Sequence, residues 1–343
     1  MTNYTNRAIR LSKRPQGEVQ DGDLSLVTEP VRELADGEIL IKNLWLSLDP
    51  YMRPRMNDAE SYMEPQALDS VMFGEAVGRV VASRSDKFTV GDIVTAYTGW
   101  QEYGICASDE ERIYKIEAAE IPLQAYLGVA GMPGRTGYCG LTFLGKPQPG
   151  ETVVVAAAAG PVGTVVGQTA KAMGCRAIGI AGGAEKCRYV VEELGFDACI
   201  DYKAGQLDAD LQAACPQGID VYFENVGGAV TRAVAPLLNA GARVPICGFV
   251  SAYNETDMAQ VETPFHIFGA LAEPPEHRFF LVNEWQAQHQ EHTKLLAERV
   301  KSGELKYSET VAEGLENAVE AFKGMLKGKN FGKQLVRVGP DPE

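Results

Sequence analysis

The sequence has no long apolar segment. No run within its 343 residues reaches the roughly 20 apolar residues that a transmembrane helix needs. The first residues, MTNYTNRAIRLSKR, contain no apolar core of the kind that a secretory signal peptide requires. These absences predict a protein that is neither secreted nor inserted in a membrane, and we expect it in the cytoplasm.

Paired cysteines are missing and histidines are few. The seven cysteines are scattered without a CxxC pair, which is typical of reduced thiols rather than of a disulfide framework or zinc knot. All four histidines (His266, His277, His289 and His292) lie after residue 265. We interpret His289 and His292 as solvated positions of a helix, because no third ligand converges from the same segment. The sequence therefore predicts no metal site.

Basic residues are outnumbered, with 32 Lys and Arg against 46 Asp and Glu and a formal net charge of −14. This balance disfavours nucleic acid or an anionic membrane as a partner. The Gly-x-Ser-x-Gly motif of a nucleophilic serine is absent, and the spacing gives no Ser-His-Asp set. Chemistry carried by a bound cofactor is then the simplest interpretation.

Two sequence patterns divide the chain. The first third has short segments rich in Val and Ile, bounded by Gly, Asp and Ser, at 37–48, 73–83 and 91–98, which indicates a β domain. The middle alternates uniformly apolar runs with amphipathic helices, which predicts a doubly wound parallel sheet covered on both faces. The predicted strands cover 151–159, 176–182, 198–202, 219–228 and 242–250, and the predicted helices cover 161–174, 184–195 and 229–238.

The last part of the chain is less regular. The stretch 251–277 is expected to be irregular and could cover a substrate or simply connect two elements. A strand over 278–283, a long helix over 284–302, a helix over 313–327 and a strand over 332–339 complete the prediction.

The strongest local motif is the AxxGxxG turn from Ala157 to Gly163, between an apolar strand and a helix. A Cβ atom at Gly160 would obstruct the approach of a pyrophosphate to the backbone, and the helix that starts near Pro161 presents N–H groups and a positive dipole end. Glycine in such a turn also serves tight packing, but the strand–turn–helix context favours dinucleotide binding.

The end of the second predicted strand favours NADPH over NADH. NAD sites usually carry an acidic residue there for the ribose 2′-hydroxyl. This chain has the small residues Ala181, Gly182 and Gly183 instead, followed by Lys186. Small residues leave room for a 2′-phosphate and a lysine can neutralise it, although Lys186 could also be an ordinary solvated lysine.

Two tyrosines are candidates for stabilising negative charge on a substrate oxygen. Tyr51 lies in the unusual segment Asp49-Pro50-Tyr51-Met52-Arg53, and Tyr253 follows a predicted strand end at Val250. Ligands of a doubly wound sheet bind beyond the carboxyl ends of its strands, which favours Tyr253. Either tyrosine could instead be a half-buried packing residue, and Arg53 could be a structural ion-pair partner.

These features resemble a known family. The chain is similar over nearly its whole length to the zinc-independent medium-chain reductases of the prostaglandin reductase, plant double-bond reductase and bacterial curcumin reductase group. The resemblance rests on the AxxGxxG turn and on the motifs LDPYMR (48–53), GMPG (131–134), GFD (195–197), ENVGG (224–228) and MLKG (325–328).

The resemblance implies an α/β fold with two domains. A GroES-like β-barrel catalytic domain would comprise residues 1–130 and 303–343, and a doubly wound Rossmann domain that binds NADP would comprise 131–302. We expect a homodimer that acts on a small-molecule substrate.

The resemblance also assigns residues. Gly160, Pro161, Val162 and Gly163 would hold the pyrophosphate, Lys186 and Tyr202 the 2′-phosphate, and Tyr51 would line the pocket. The nicotinamide half would be lined by Asn225, Cys247, Gly248, Phe249, Val250, Ser251, Tyr253, Phe280, Leu281, Val282 and Asn330.

The chain departs from related proteins at two places. Zinc-dependent relatives carry Gly-His-Glu where this chain has Phe73-Gly74-Glu75, so the metal histidine is missing. Many reductases of the group have a tyrosine where this chain has Phe268 or His266.

The expected activity is NADPH-dependent reduction of the carbon–carbon double bond of α,β-unsaturated ketones and aldehydes. Tyr51, Tyr253 or the cofactor ribose would stabilise the enolate oxygen. Two alternatives remain: a quinone reductase on the same scaffold, and a non-catalytic NADPH-binding protein. The small Gly248, which leaves room at a strand end, favours an enzyme.

Overall fold

A computed structural model describes residues 4–58, 64–117 and 120–341. The strands are β1 (Thr5–Leu11), β2 (Leu24–Pro30), β3 (Glu38–Ser47), β4 (Ala76–Ser83), β5 (Ile93–Ala96), β6 (Tyr103–Ala107), β7 (Tyr114–Lys115), β8 (Thr152–Ala156), β9 (Arg176–Ala181), β10 (Ala198–Asp201), β11 (Ile219–Phe223), β12 (Leu238–Ile246), β13 (Glu276–Phe279), β14 (Glu309–Glu313) and β15 (Lys333–Arg337).

The chain also forms α-helices. They are α1 (Met132–Cys139), which continues as a π-helix (Gly140–Gly145), α2 (Pro161–Ala172), α3 (Ala184–Glu192), α4 (Leu207–Ala214), α5 (Gly228–Val234), α6 (Pro264–Gly269), α7 (His289–Lys301) and α8 (Ala318–Leu326). Among the described helices, none has both the length and the hydropathy that a membrane span requires.

The first of two compact units is a β structure. It runs to Leu127 and also includes Glu309–Asn330 and the chain from Gln334 onward. Its main sheet has the order β14-β15-β3-β4-β5-β7, with β6 paired to β3, and β1 and β2 form a separate antiparallel pair. Its core includes the fully buried indole of Trp100, which meets the ring of Phe322 edge to face at 5.3 Å.

The second unit is a doubly wound sheet. It comprises Gly128–Ser308 with Phe331–Lys333, and its strand order is β10-β9-β8-β11-β12-β13. Its strand pairs are parallel, and helices cover the sheet with separate apolar clusters on its two faces. The order reverses between β8 and β11, and ligands of such sheets bind at the carboxyl ends of the strands beside this switch point.

The fold class predicted from the sequence is confirmed, with local differences. The region expected to be irregular, 251–277, contains helix α6, whose first turn is capped by Thr263. The long helix expected over 284–302 starts as a 3₁₀ segment, with Trp285 at a non-helical φ of −111° and ψ of 32°, and becomes α-helical only at His289.

The interpretation of His289 and His292 as solvated is wrong. They are 8% and 5% exposed, and His292 Nδ1 lies 3.3 Å from Sγ of Cys139 on α1. Burial, followed by the nearby Arg135 and His292, lowers the pKa of His289 to about 3, so this ring is neutral at neutral pH. The two histidines are thus interior packing residues of α7, because α1 covers the face that the sequence alone leaves open.

Candidate functional site

The turn between β8 and α2 is tight. Ala157 adopts a positive φ of 54°, which non-glycine residues rarely adopt and which occurs at functional turns more often than elsewhere. The Gly160 N–H donates to the Ala157 carbonyl at 3.0 Å, and the Ala158 N–H donates to Ile180 O of β9 at 3.0 Å. Helix α2 follows at once with Pro161 in its first turn, where no amide donor is needed.

The two glycines of this turn have different tasks. A Cβ atom at Gly163 would lie 2.4 Å from the Ala157 carbonyl oxygen and 2.7 Å from Ala158 Cα, so Gly163 is required for contact between helix and turn. Around Gly160 there is more space. Among the described atoms, the one within 4 Å of a Cβ atom placed there would be the Ala157 carbonyl oxygen, at 3.3 Å. Gly160 therefore leaves its backbone open to a ligand, next to the positive end of α2.

A second group of predicted residues lies at the ends of β9 and β10. The ring of Tyr202 covers Gly182, where a Cβ atom would lie 2.8 Å from Tyr202 Cε1. Tyr202 is 43% exposed, an unusual state for an aromatic ring, and Lys186 at the start of α3 is half-buried. Tyr202 and Lys203 thus lie beside the small residues that the sequence suggested as space for a phosphate.

Sequence reasoning missed Lys203. Its Nζ lies 5.8 Å from the centre of the Tyr202 ring, and its Cε would be 3.0 Å from a Cβ at Gly182. Burial first, and then the positive charge of Lys203, lower the pKa of Lys186, while Glu185 opposes this shift. The two positively charged ammonium groups repel each other, and a bound dianion would offset that repulsion. The signal in the sequence was a lysine directly after a strand end.

Asp201 stabilises the backbone of this region through hydrogen bonds. It ends β10 and pairs in register with Ala181 at the end of β9. Its Oδ1 accepts hydrogen bonds from the Gly183 N–H at 2.8 Å and the Lys203 N–H at 3.0 Å. The carboxylate is therefore engaged in holding the two loops, and it fixes the backbone that carries Lys203.

A buried carboxylate organises the loop after β11. Oε1 of Glu224 accepts hydrogen bonds from the Val226 N–H at 2.7 Å, the Gly227 N–H at 2.9 Å and the Tyr222 hydroxyl at 3.0 Å, and Oε2 accepts one from Thr231. Sequence reasoning used the ENVGG motif for the resemblance but gave Glu224 no role. The carboxylate fixes the backbone of the loop that follows it.

Asn225 ties this loop to the glycine turn. Its side-chain amide donates to the Ala156 carbonyl, the last residue of β8, at 2.8 Å. Its own carbonyl accepts from the Val250 N–H at 3.1 Å, and the Val226 carbonyl accepts from the Ser251 N–H at 2.9 Å. The structure thus brings the predicted residues after β8, β11 and β12 together at one edge of the sheet.

Tyr253 lies over the strand end at Gly248. A Cβ atom at Gly248 would lie 2.5 Å from the Tyr253 hydroxyl oxygen, so the room that Gly248 provides is taken by this hydroxyl rather than left empty. The ring of Phe249 meets that of Tyr253 at 6.3 Å, while Ser251 is exposed and Cys247 is half-buried. Burial, followed by Glu224, raises the pKa of Cys247 to about 12, so its thiol is protonated at neutral pH.

The predicted residues after β13 serve partly other purposes. Phe280 is buried and meets Phe223 edge to face at 6.0 Å, so its side chain belongs to the core. The Leu281 N–H already donates to Glu284 at 3.0 Å, and Val282 begins a 3₁₀ segment. The side chain of Phe280 and the amide of Leu281 are therefore already engaged within the protein.

Tyr51 lies in the first unit within a polar aromatic cluster. Burial first, and then Tyr97, Asp49 and Glu75, raise the pKa of Tyr51 well above 10, with Arg55 opposing. The hydroxyl is therefore protonated at neutral pH and can donate a hydrogen bond. The guanidinium of Arg55 lies 4.1 Å from the centre of the Phe73 ring, which stacks on Tyr97 at 4.8 Å.

Two further predicted residues belong to the first unit. Asn330 lines a surface cavity of about 420 Å³, together with Thr310, Gly324 and Gln334. Arg53 is fully buried, and its guanidinium donates to the Gly17 carbonyl at 3.1 Å through Nε. Arg53 therefore anchors the preceding backbone rather than forming the ion pair suggested by the sequence.

The position of the missing metal histidine is filled by another side chain. A Cβ atom at Gly74 would lie 2.9 Å from Cδ1 and 3.0 Å from Nε1 of the buried Trp100 indole, so a histidine here would collide with it. Within residues 4–58, 64–117 and 120–341, no three His, Cys, Asp or Glu side chains are grouped to hold a metal ion. A metal-independent reaction stays a prediction.

The residues at the family's loop-tyrosine position offer no hydroxyl. Phe268 is buried, with its ring 6.4 Å from that of Tyr222, and belongs to the core. His266 is exposed and its Nδ1 lies 3.0 Å from the Thr263 hydroxyl at the start of α6. Phe268 therefore cannot replace the missing tyrosine as a hydrogen-bond donor, and Nδ1 of His266 is engaged by Thr263.

Comparison with known proteins gives two family matches. Residues 7–116 match the family described as the N-terminal domain of oxidoreductase, and residues 161–273 match the family described as zinc-binding dehydrogenase. The second match begins after Gly74 and therefore does not bear on the missing metal histidine.

Individual relatives match over nearly the whole chain. The chain is 44% identical to the NADPH-dependent curcumin reductase of Escherichia coli, covering 98% of each. It is 38% identical to the NADP⁺-dependent 2-alkenal reductase of Nicotiana tabacum, covering 97% of this chain and 98% of the relative. The crystal structure of CurA from Vibrio vulnificus in complex with NADPH superposes with a TM-score of 0.91 at 44% identity, covering 98% of this chain and all of that one (100%).

Proposed function

Because the chain belongs to the zinc-independent reductase group of the medium-chain dehydrogenase/reductase family, we propose that it reduces the carbon–carbon double bond of α,β-unsaturated ketones and aldehydes with NADPH. The relatives named for this chemistry match it from end to end. The observation within the structure that carries the proposal is the Tyr253 hydroxyl over Gly248, at the carboxyl end of β12.

The second unit has the features that NADPH requires. Gly160 exposes its backbone beside the start of α2, which suits a pyrophosphate. Lys186 and Lys203 would bind the 2′-phosphate, and the exposed ring of Tyr202 would lie against it. Asn225 and the segment 247–253 would line the nicotinamide half. Bound NADPH supplies a hydride to the β-carbon of the substrate.

The protein's own task is to stabilise the enolate oxygen and to supply a proton. A hydroxyl that donates a hydrogen bond to the oxygen lowers the barrier, because negative charge develops there. The two candidates are Tyr253, which lies in the second unit, and Tyr51, which lies in the first unit. Tyr51 is protonated at neutral pH, as a donor must be. The α-carbon then gains a proton from such a hydroxyl or from water.

Conjugate addition fits this set of groups better than attack on an isolated ketone. Gly74 has no side chain and lies against the Trp100 indole, so this position offers no ligand for a metal that would polarise a carbonyl. An alkoxide concentrates a full charge on one oxygen, whereas an enolate spreads it, so hydroxyl donors suffice for the enolate.

Product analysis with 4-deuterated NADPH tests the proposal. We expect deuterium on the β-carbon of an enone or alkenal, and almost no consumption of NADPH with the matching saturated ketone, which serves as the control. Deuterium on the carbonyl carbon would identify an alcohol dehydrogenase instead. Turnover of quinones alone would favour a quinone reductase, and NADPH binding without turnover of any of these substrates would favour a non-catalytic protein.

We further propose that the protein is a cytoplasmic homodimer. Strand β13 is the last strand in the order of the second sheet, and such an edge can pair with its copy across a twofold axis. Phe265 in the adjacent α6 is 39% exposed, which suits an interface. All seven cysteines are free thiols, as in a reducing compartment.

Light scattering of the purified protein checks the dimer. We expect a mass of twice the 37.1 kDa of the chain at micromolar concentration. A mass of one chain across the accessible concentration range would contradict pairing through β13.

A further inference from the structure

Glu224 is an acidic residue in the core that has no basic partner among the described residues. Its side chain is fully buried, at 0% exposure, directly after β11. The groups that act on its pKa are hydroxyls and backbone amides, and none of them is a lysine or an arginine. Burying a carboxylate without a cation is costly, so its retention calls for a function.

The hydrogen bonds suit the ionised form. Val226 and Gly227 present backbone N–H groups to Oε1, and backbone amides can only donate. The hydroxyls of Tyr222 and Thr231 add one hydrogen bond to each oxygen. On balance the pKa of Glu224 is raised, because burial outweighs these four hydrogen bonds, which oppose the shift by stabilising the anion.

The position of Glu224 places this charge at the carboxyl edge of the sheet. β11 is the strand beside the switch point, next to β8. The backbone carbonyl of Glu224 accepts the Cys247 N–H at 2.9 Å, so the residue joins the loops that follow β11 and β12. Those loops are the ones assigned above to the nicotinamide half of the cofactor.

We propose that Glu224 is a buried anion that favours the oxidised, positively charged nicotinamide ring over the neutral reduced ring, and so makes bound NADPH a stronger hydride donor. This role rests on the cofactor site of the proposed function. Hydride transfer breaks the ring C–H bond and forms a C–H bond at the β-carbon, moving two electrons and one proton. The ring is left with one positive charge and the substrate becomes an enolate, which a proton then neutralises. A fixed anion in a dry site stabilises that positive charge.

Two variants separate charge from shape. In Glu224→Gln, the amide oxygen can keep the three hydrogen bonds at Oε1, and the amide nitrogen can donate to Thr231, whose hydroxyl can turn to accept. Glu224→Gln therefore removes the charge and largely keeps the shape. Glu224→Asp keeps the charge but shortens the side chain, and serves as the matched control.

The measurement is the ratio of the dissociation constants of NADP⁺ and NADPH, by calorimetry without substrate. We expect Glu224→Gln to raise this ratio on the order of tenfold, because the variant removes the charge that favours the positively charged ring. Glu224→Asp should weaken both forms alike and leave the ratio unchanged. An unchanged ratio in Glu224→Gln would overturn the proposal and reduce Glu224 to a positioning residue.

The proposal is also testable in the wild-type protein if Glu224→Gln does not fold. Among the described carboxyl groups with a resolved shift, Glu224 is the one whose pKa is raised. A protonated carboxyl band in the infrared spectrum of the NADP⁺ complex at neutral pH would overturn the proposal if that band shifts in Glu224→Asp, because the shift assigns the band to residue 224. Its absence supports the anion. Binding of both cofactor forms without enone turnover would contradict the proposed function alone.

Discussion

The double variant Lys186→Ala/Lys203→Ala should raise the Michaelis constant for NADPH by about 10² to 10⁴-fold and leave that for NADH nearly unchanged. One charge-assisted hydrogen bond to a phosphate is worth about 1.5–3 kcal/mol, and each lysine alone should therefore account for roughly tenfold to a hundredfold. NADH lacks the 2′-phosphate, so its binding does not use these cations. Steady-state kinetics with both cofactors measure the effect.

Arg188→Ala is the matched control for the lysines. Arg188 is exposed on the same helix, α3, and its loss changes the net charge by the same amount as loss of Lys186. We expect little change in the Michaelis constant for NADPH. An equal effect of Arg188→Ala, or equal losses with NADPH and NADH in the lysine variants, would contradict the assignment of the phosphate site.

The same pair predicts a pH dependence. The pKa of Lys186 is lowered, so this residue loses its proton earlier than a solvated lysine as the pH rises. The affinity for NADPH should therefore be full below this pKa and fall as the pH increases through it. Lys203→Ala removes part of the repulsion and should shift that fall to higher pH.

The parallel sheet could be predicted from the sequence because its central strands β8, β9 and β11 are almost uniformly buried and apolar. The run before Gly160 is continuous, and the run after Ile219 is interrupted only by Asp220. By contrast, helix α6 contains Phe265 and Phe268 among prolines, and six residues give too little periodicity to predict a helix.

The tight turn from Ala157 to Gly163 was also predictable, because its close backbone contacts require glycine at position 163. What the sequence could not give was the contact of side chains that lie far apart along the chain. Lys203 acts on the pKa of Lys186 because β10 lies beside β9. His292 is buried because α1 brings Cys139 against it, 153 positions away. Such contacts depend on packing rather than on local patterns.

The Tyr253 hydroxyl is the group whose loss should slow the reaction itself. It lies at the carboxyl end of β12, 2.5 Å from where a Cβ of Gly248 would be, and the ring is held against Phe249. Tyr253→Phe keeps the ring and removes only this oxygen. If the hydroxyl donates to the enolate oxygen, the interaction is stronger in the transition state than in the substrate complex.

Tyr253→Phe should therefore lower turnover of an enone by about 10²-fold or more, with the Michaelis constant for NADPH changed by less than about threefold. Tyr189→Phe is the matched control, because Tyr189 lies in the same unit and its buried hydroxyl has no hydrogen-bond partner among the described residues. It should leave turnover unchanged. A loss of less than about threefold in Tyr253→Phe would assign Tyr253 to packing, and the same test on Tyr51→Phe would then decide whether Tyr51 is the donor.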